Sequence, residues 1–321
     1  MAIVENILDL ILARLTIWLP NSLMQLIDIE RSNDYMQNLT ICALMPHPPI
    51  MIPEVGKSEL DKIKKTVASA QLAAKTIKEQ NPQTIILITP HGPVFEDAAS
   101  ISIHPRLKGN FGAFGVPEIF LGFETDDLLA RHILKKADRL GVNLIELTDD
   151  KAKSYRLNLE LDHGALVPLY YLSKAGFRGQ LIHISVGMLS YEEMYTFGKA
   201  VQMAINGTGK RVAVIASGDL SHRLTPDAPA GYSPQAGEFD KQVLQAVQDL
   251  NVKALLNIDR TLVQAAGECG LRPIFFLLGV VGGLDATAEL LSYEAPFGVG
   301  YGVVLITVKN KANKAGGGKN D

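Results

Sequence analysis

Three histidines of this chain stand just past apolar runs that read as β-strands. His47 follows Ile41-Cys42-Ala43-Leu44-Met45-Pro46, His91 follows Ile85-Ile86-Leu87-Ile88-Thr89-Pro90, and His222 follows the run from Val212 to Ser221. Open α/β sheets bind ligands at the carboxyl ends of their strands. Histidines on several such ends can converge on one point, and with one carboxylate they make a metal-ligand set. His47 lies in Pro46-His47-Pro48-Pro49 and His91 in Thr89-Pro90-His91-Gly92-Pro93. Proline fixes φ and stops a strand, so a stiff turn aims each imidazole. The plain alternative is a turn histidine at the sheet edge.

His222 ends Ser217-Gly218-Asp219-Leu220-Ser221-His222, where small residues let a substrate approach the backbone. Asp219, three residues earlier, can face the same cavity and orient an imidazole or touch a metal. His163 lies in Leu161-Asp162-His163-Gly164. Asp162 reads as the cap of the following helix. That puts His163 in the first turn, where the helix dipole lowers its pKa and favours a neutral base. Glu268 sits between Gly267 and Cys269-Gly270, just before an apolar helix. A buried glutamate there needs a partner, and a cation serves; an exposed cap is the alternative. Cys269 beside it is a soft ligand. His183, inside Leu181-Ile182-His183-Ile184, reads as a satisfied core histidine, and His104 and His132 as surface residues.

Alternating strand and helix signals must position these groups. Leu60, Ile63, Val67, Ala70, Ala74 and Ile77 recur at helical spacing, and the helix should stop near Asn81-Pro82. With the flanking runs this suggests a right-handed βαβ unit. Further helices are expected over 126–140, 164–174, 191–205, 238–250 and 273–281. Further strands are expected over 143–147, 181–186, 290–294 and 301–308. The reading is an α/β fold, one domain over 39–308 with a central mixed sheet flanked by helices. Gly109–Gly115 and Gly298–Gly302 are glycine-rich, but neither opens a helix after a strand as a dinucleotide fingerprint does. They read as backbone turns, or as a mobile loop over a pocket.

The 321 residues are 47% hydrophobic with net charge −3, which suits a globular protein and gives nucleic-acid binding no compositional support. Two cysteines argue against a disulfide framework and for a reducing, cytoplasmic setting. Residues 1–38 read as an amphipathic or loosely attached extension. The apolar stretch there holds Arg14, Pro20, Asn21 and Gln25, so no membrane span is expected. Residues 309–321 read as a disordered tail or linker.

In order along the chain, His47-Pro48-Pro49, Pro90-His91-Gly92, Leu161-Asp162-His163-Gly164, Gly218-Asp219-Leu220-Ser221-His222 and Gly267-Glu268-Cys269-Gly270 resemble the catalytic chains of the class III extradiol ring-cleavage dioxygenases. The resemblance spans about Thr40 to Val308. It implies a non-haem Fe(II) held by His47, His91 and Glu268, with Zn as the alternative metal. It implies His222 as the catalytic acid/base and His163 as a second catalytic pocket histidine. Partners would be O2 and a small catechol-type aromatic substrate, in aromatic-compound metabolism. The chain is most similar to the Memo-like branch, which often stands beside or fused to another conserved domain and a radical-SAM partner. There a cysteine takes the ligand place, matching Cys269. The alternative function is therefore a Memo-like metal-binding accessory protein without ring cleavage. A zinc hydrolase would use the same histidines to activate water. A homo-oligomer or a partner domain is compatible with either reading.

Overall fold

The computed structural model describes residues 38–309. The readings of the N-terminal extension and of the C-terminal tail fall outside the described residues, apart from Asn38 and Lys309. Ten strands occur among the described residues: β1 (Leu39–Met45), β2 (Thr84–Thr89), β3 (Ala99–Ser102), β4 (Arg106–Phe111), β5 (Val116–Glu124), β6 (Leu144–Leu147), β7 (Gln180–Ser185), β8 (Val212–Ser217), β9 (Ala286–Glu294) and β10 (Tyr301–Val308). Eight of them form one sheet in the order β6-β3-β7-β2-β8-β1-β10-β9. Its centre, β7-β2-β8-β1, is parallel, and the pairs β3–β7, β1–β10 and β10–β9 are antiparallel. The mixed sheet of the sequence reading is thus present.

The central strands are apolar on both faces because both faces are covered. Cys42, Leu44, Ile86, Ile88, Val214 and Ala216 join one core. Ile41, Ala43, Ile85, Leu87, Ala213 and Ile215 join the other. The first core is closed by α2 (Asp127–Arg139), α5 (Tyr191–Asn206), α6 (Ala236–Gln248) and α9 (Leu271–Val281). The second is closed by α1 (Lys64–Glu79) and α4 (His163–Lys174). Shorter helices α3 (Asp149–Tyr155), α7 (Val252–Leu256) and α8 (Arg260–Ala266) fill connections. Fully buried side chains such as Phe275 and Phe276 each contribute about 1.5–3 kcal/mol of burial.

Register sets the site. Met45 pairs with Ser217, and Thr89 with Ser185, so four parallel strands end in one row. The loops carrying His47, His91 and His222 all leave from that edge.

The β1-α1-β2 crossover of the sequence reading is present: both strands run parallel to β8, which lies between them in the sheet. One expectation is corrected in part. In the segment Gly109–Gly115, Gly109–Phe111 end strand β4 of a β4–β5 hairpin, and only Gly112–Gly115 form the expected turn. Gly109 hides its outward and inward alternation. That residue faces inward, where a Cβ would collide with the Leu161 carbonyl oxygen. Among the described residues no helix is long and apolar enough to cross a membrane.

Candidate metal centre

His47 is buried, two residues past β1. Its backbone N–H donates to Asp219 Oδ1 at 3.0 Å, which ties the β1 loop to the loop after β8. Its Nδ1 stands 2.9 Å from Ser217 Oγ. Ser217 has one hydroxyl proton and gives it to the Gly164 carbonyl at 2.5 Å. The hydroxyl must therefore accept from His47, which assigns the proton to Nδ1 and leaves Nε2 with a free lone pair.

That lone pair faces His91 Nε2 at 3.1 Å. Two imidazole nitrogens this close repel unless a proton or a cation lies between them. Cys269 Sγ and Asp219 Oδ2 each stand 3.8 Å from the same His47 Nε2. Donors on one tetrahedral zinc at about 2.0–2.3 Å would be roughly 3.3 Å apart for two nitrogens and 3.6 Å for nitrogen and sulfur. His163, the first residue of α4, completes the cluster. Its ring centroid lies 4.2 Å from that of His91 and 5.6 Å from that of His47. Donor atoms of His47, His91 and His163 all lie within 4.8 Å of one another. The donor set fits a cation.

Close backbone approach makes this possible. A Cβ on Gly164 would collide with Thr89 Oγ1 and stand 2.8 Å from His91 Cδ2, so only glycine lets α4 start here. Gly218 and Gly270 meet likewise, a Cβ on Gly218 falling 2.7 Å from the Gly270 Cα. That contact brings the Cys269 loop to the β8 edge.

The electrostatics favour the neutral form of His47, His163 and His222. Burial first, then His91, His163 and His222, hold His47 well below the usual histidine range. Burial and His91 also lower His163, and burial is the main cause lowering His222. His222 lies on the loop after β8, its Nδ1 buried and without a hydrogen-bond partner among the described residues. Its loop is fixed from behind: Ser221 N–H donates to Asp240 Oδ1 at 2.8 Å, and Tyr293 O–H to Asp240 Oδ2 at 2.6 Å. Burial pushes the Asp219 carboxyl up to about 7 and the Cys269 thiol well above its usual value. A bound cation would reverse both tendencies.

Glu268 is placed differently. Its Oε2 accepts the Leu271 N–H at 2.6 Å, at the start of α9, and burial raises its carboxyl to about 7. The structure thus brings His47, His91, His163, Asp219 and Cys269 together, with His222 on the neighbouring loop, while the Glu268 carboxylate serves the helix start. Asp162 occupies the N-cap of α4 but makes no cap hydrogen bond, contrary to expectation; its Oδ2 lies 3.5 Å from His91 Nδ1. His183 is buried as expected, but its Nε2 has no hydrogen-bond partner among the described residues. Two further residues, Ser217 and Phe114 at the hairpin tip, carry no clear mark of a site role in the sequence. Phe114 is 38% exposed, with its ring 5.6 Å edge-on from His163. The one sequence signal for Ser217 is its place in the small-residue run before His222.

Residues 41–304 match the family model described as the catalytic LigB subunit of aromatic ring-opening dioxygenase. The chain belongs to this family. Within the LigB family its relatives fall on both sides of the Memo question. It is 40% identical over 263 residues to Protein CA_C1420 of Clostridium acetobutylicum, covering 82% of this chain and 56% of that protein. The chain thus spans little more than half the length of that relative. It is 25% identical over 262 residues to the 3,4-dihydroxyphenylacetate 2,3-dioxygenase of Escherichia coli, covering 77% of this chain and 91% of that enzyme. It is 26% identical over 251 residues to the MEMO1 family protein TK1477 of Thermococcus kodakarensis, covering 73% and 78%. A crystal structure of the Escherichia coli K12 protein JW3007 shares the fold, with TM-score 0.56 at 15% identity, covering 83% of this chain and 99% of that one.

Proposed function

We propose that the chain is a metal-dependent oxidoreductase of the extradiol type, using Fe(II) and O2 on a catechol-type aromatic substrate. The observation that carries the reading is the free Nε2 lone pair of His47 facing His91 Nε2 at 3.1 Å, in a cluster that His163 and Cys269 complete. His47 and His91 would hold the metal, and Cys269, 3.8 Å from His47 Nε2, is better placed as a third ligand than Glu268. Iron bound there would supply the redox chemistry with O2 that side chains lack.

The remaining groups have roles of their own. His222, kept neutral by burial, accepts the proton of a substrate phenol as a general base, help worth about 10²–10⁴ in rate. His163 hydrogen-bonds the substrate oxygen. Phe114 forms an aromatic wall beside it, suited to edge-to-face contact with a substrate ring.

A second reading, a Memo-like metal-binding accessory protein, is favoured by Cys269 rather than Glu268 standing beside His47. Oxygen uptake by anaerobically purified, Fe(II)-loaded protein with a panel of catechols separates the two. Uptake that depends on both iron and catechol, and that His222→Ala loses while keeping its iron, supports the dioxygenase. Iron binding with no uptake on any catechol supports the accessory role.

A further inference from the structure

Asp162 holds the N-cap position of α4 but caps nothing. Aspartate at such a position ordinarily accepts a hydrogen bond from the first turn. Here Oδ2 is turned to His91 Nδ1 at 3.5 Å, and Oδ1 is buried with no hydrogen-bond partner among the described residues. His183 lies behind, on β7, 5% exposed and with Nε2 likewise unpartnered. Burial lowers that ring's pKa to about 4, against the Asp162 charge, which favours a proton on it. The Gly92 turn seats His91 over the same spot. A Cβ at Gly92 would stand 2.5 Å from Ser185 Oγ and 3.9 Å from His183 Cε1. The turn that follows His91 thus packs on Ser185 and His183, while His91 itself has Asp162 at its Nδ1 side.

We propose that Asp162, backed by His183, is the positioning residue of His91: it holds the proton on Nδ1 and so turns the Nε2 lone pair toward His47. The proposal rests on the reading of His91 Nε2 as a metal donor. It also explains why a residue of good capping chemistry leaves the helix start uncapped. A carboxylate on the distal nitrogen fixes the tautomer and orientation of a ligating histidine. Asp162 would thus stand to His91, across 3.5 Å, as Ser217 stands to His47 across 2.9 Å.

The test uses two readouts on the full chain. Long-range 1H–15N spectra of the metal-free protein report the His91 tautomer. Competition with a chromophoric chelator reports Zn(II) affinity. Asp162→Asn is expected to shift the His91 proton off Nδ1 and to weaken Zn(II) binding 10–100-fold. Asp162→Ser, whose hydroxyl is suited to cap α4, should fold well and show the same two changes. His183→Phe should move both in the same direction by less. Adding it to Asp162→Asn should cost less than twofold more, because it acts through the same carboxylate. An unchanged His91 tautomer and Zn(II) affinity within twofold of wild type in both Asp162 variants overturn the proposal. If wild type itself binds no Zn(II), the metal reading falls, while the tautomer in the Asp162 variants still decides what Asp162 does.

Discussion

Ser217 Oγ accepts the Nδ1 proton of His47 because its own proton is committed to the Gly164 carbonyl. One hydroxyl thus links β8, the β1 loop and the start of α4, and fixes which nitrogen of His47 is free. Ser217→Ala leaves that buried Nδ1–H unpaired, at about 1–3 kcal/mol of stability, and frees the ring to turn. Metal affinity should fall 10–100-fold in the same chelator competition. An affinity unchanged from wild type would mean that packing alone orients His47.

The neighbours Glu268 and Cys269 have separable roles. Cys269→Ala should lose most of the bound metal, since Sγ stands 3.8 Å from His47 Nε2. Glu268→Gln should keep it, because its oxygen serves the Leu271 N–H and the glutamine oxygen can do the same. Metal content after equilibrium dialysis checks both. The reverse pattern would restore Glu268 as ligand.

Phe114 is a partly exposed aromatic side chain held against His163. An edge-to-face pair is worth about 0.5–1.5 kcal/mol beyond area burial. Phe114→Ala should therefore raise KM for an aromatic substrate about 3–10-fold and leave kcat within about twofold. A change confined to kcat would place Phe114 with the reacting groups instead.

Asp240 gives a pH signature. Burial raises its carboxyl from the ordinary range to about 6, against the hydrogen bonds from Tyr293 and Ser221 that lower it. The folded state holds this proton more tightly than the unfolded chain does. Its stabilising contribution is thus full below about pH 4 and lost as pH rises through about 6. Asp240→Asn has no such titration. Relative to wild type its stability should improve by roughly 2–3 kcal/mol between pH 4 and 7, read from urea denaturation at each pH. A relative loss over that interval would contradict the raised pKa.

His47 and His91 are legible in the sequence because proline marks where β1 and β2 stop, and His222 because it follows the small-residue run after β8; the three parallel strands end in one row. The long helices are legible from their apolar spacing; α1 ends at Glu79, two residues before Asn81 with its left-handed φ of 50°. The hairpin is not, since Gly109 occupies an inward position that a pattern reading expects to be apolar. The roles of Asp162 and Ser217 are not legible either. Both depend on which of several local partners a short polar side chain chooses, and tertiary neighbours decide that. Glu268 and Cys269 are adjacent in sequence, so only the backbone path from Gly267 to Gly270 determines which one faces His47.

A cation shared by His47 and His91 is the centre on which every role above depends. Metal analysis of freshly, anaerobically purified wild type, His47→Ala and His91→Ala tests it most directly. One metal ion per chain is expected in wild type and none in either variant, with both variants folded by circular dichroism. Full metal content in both variants, or none in wild type after Fe(II) or Zn(II) loading, would contradict it.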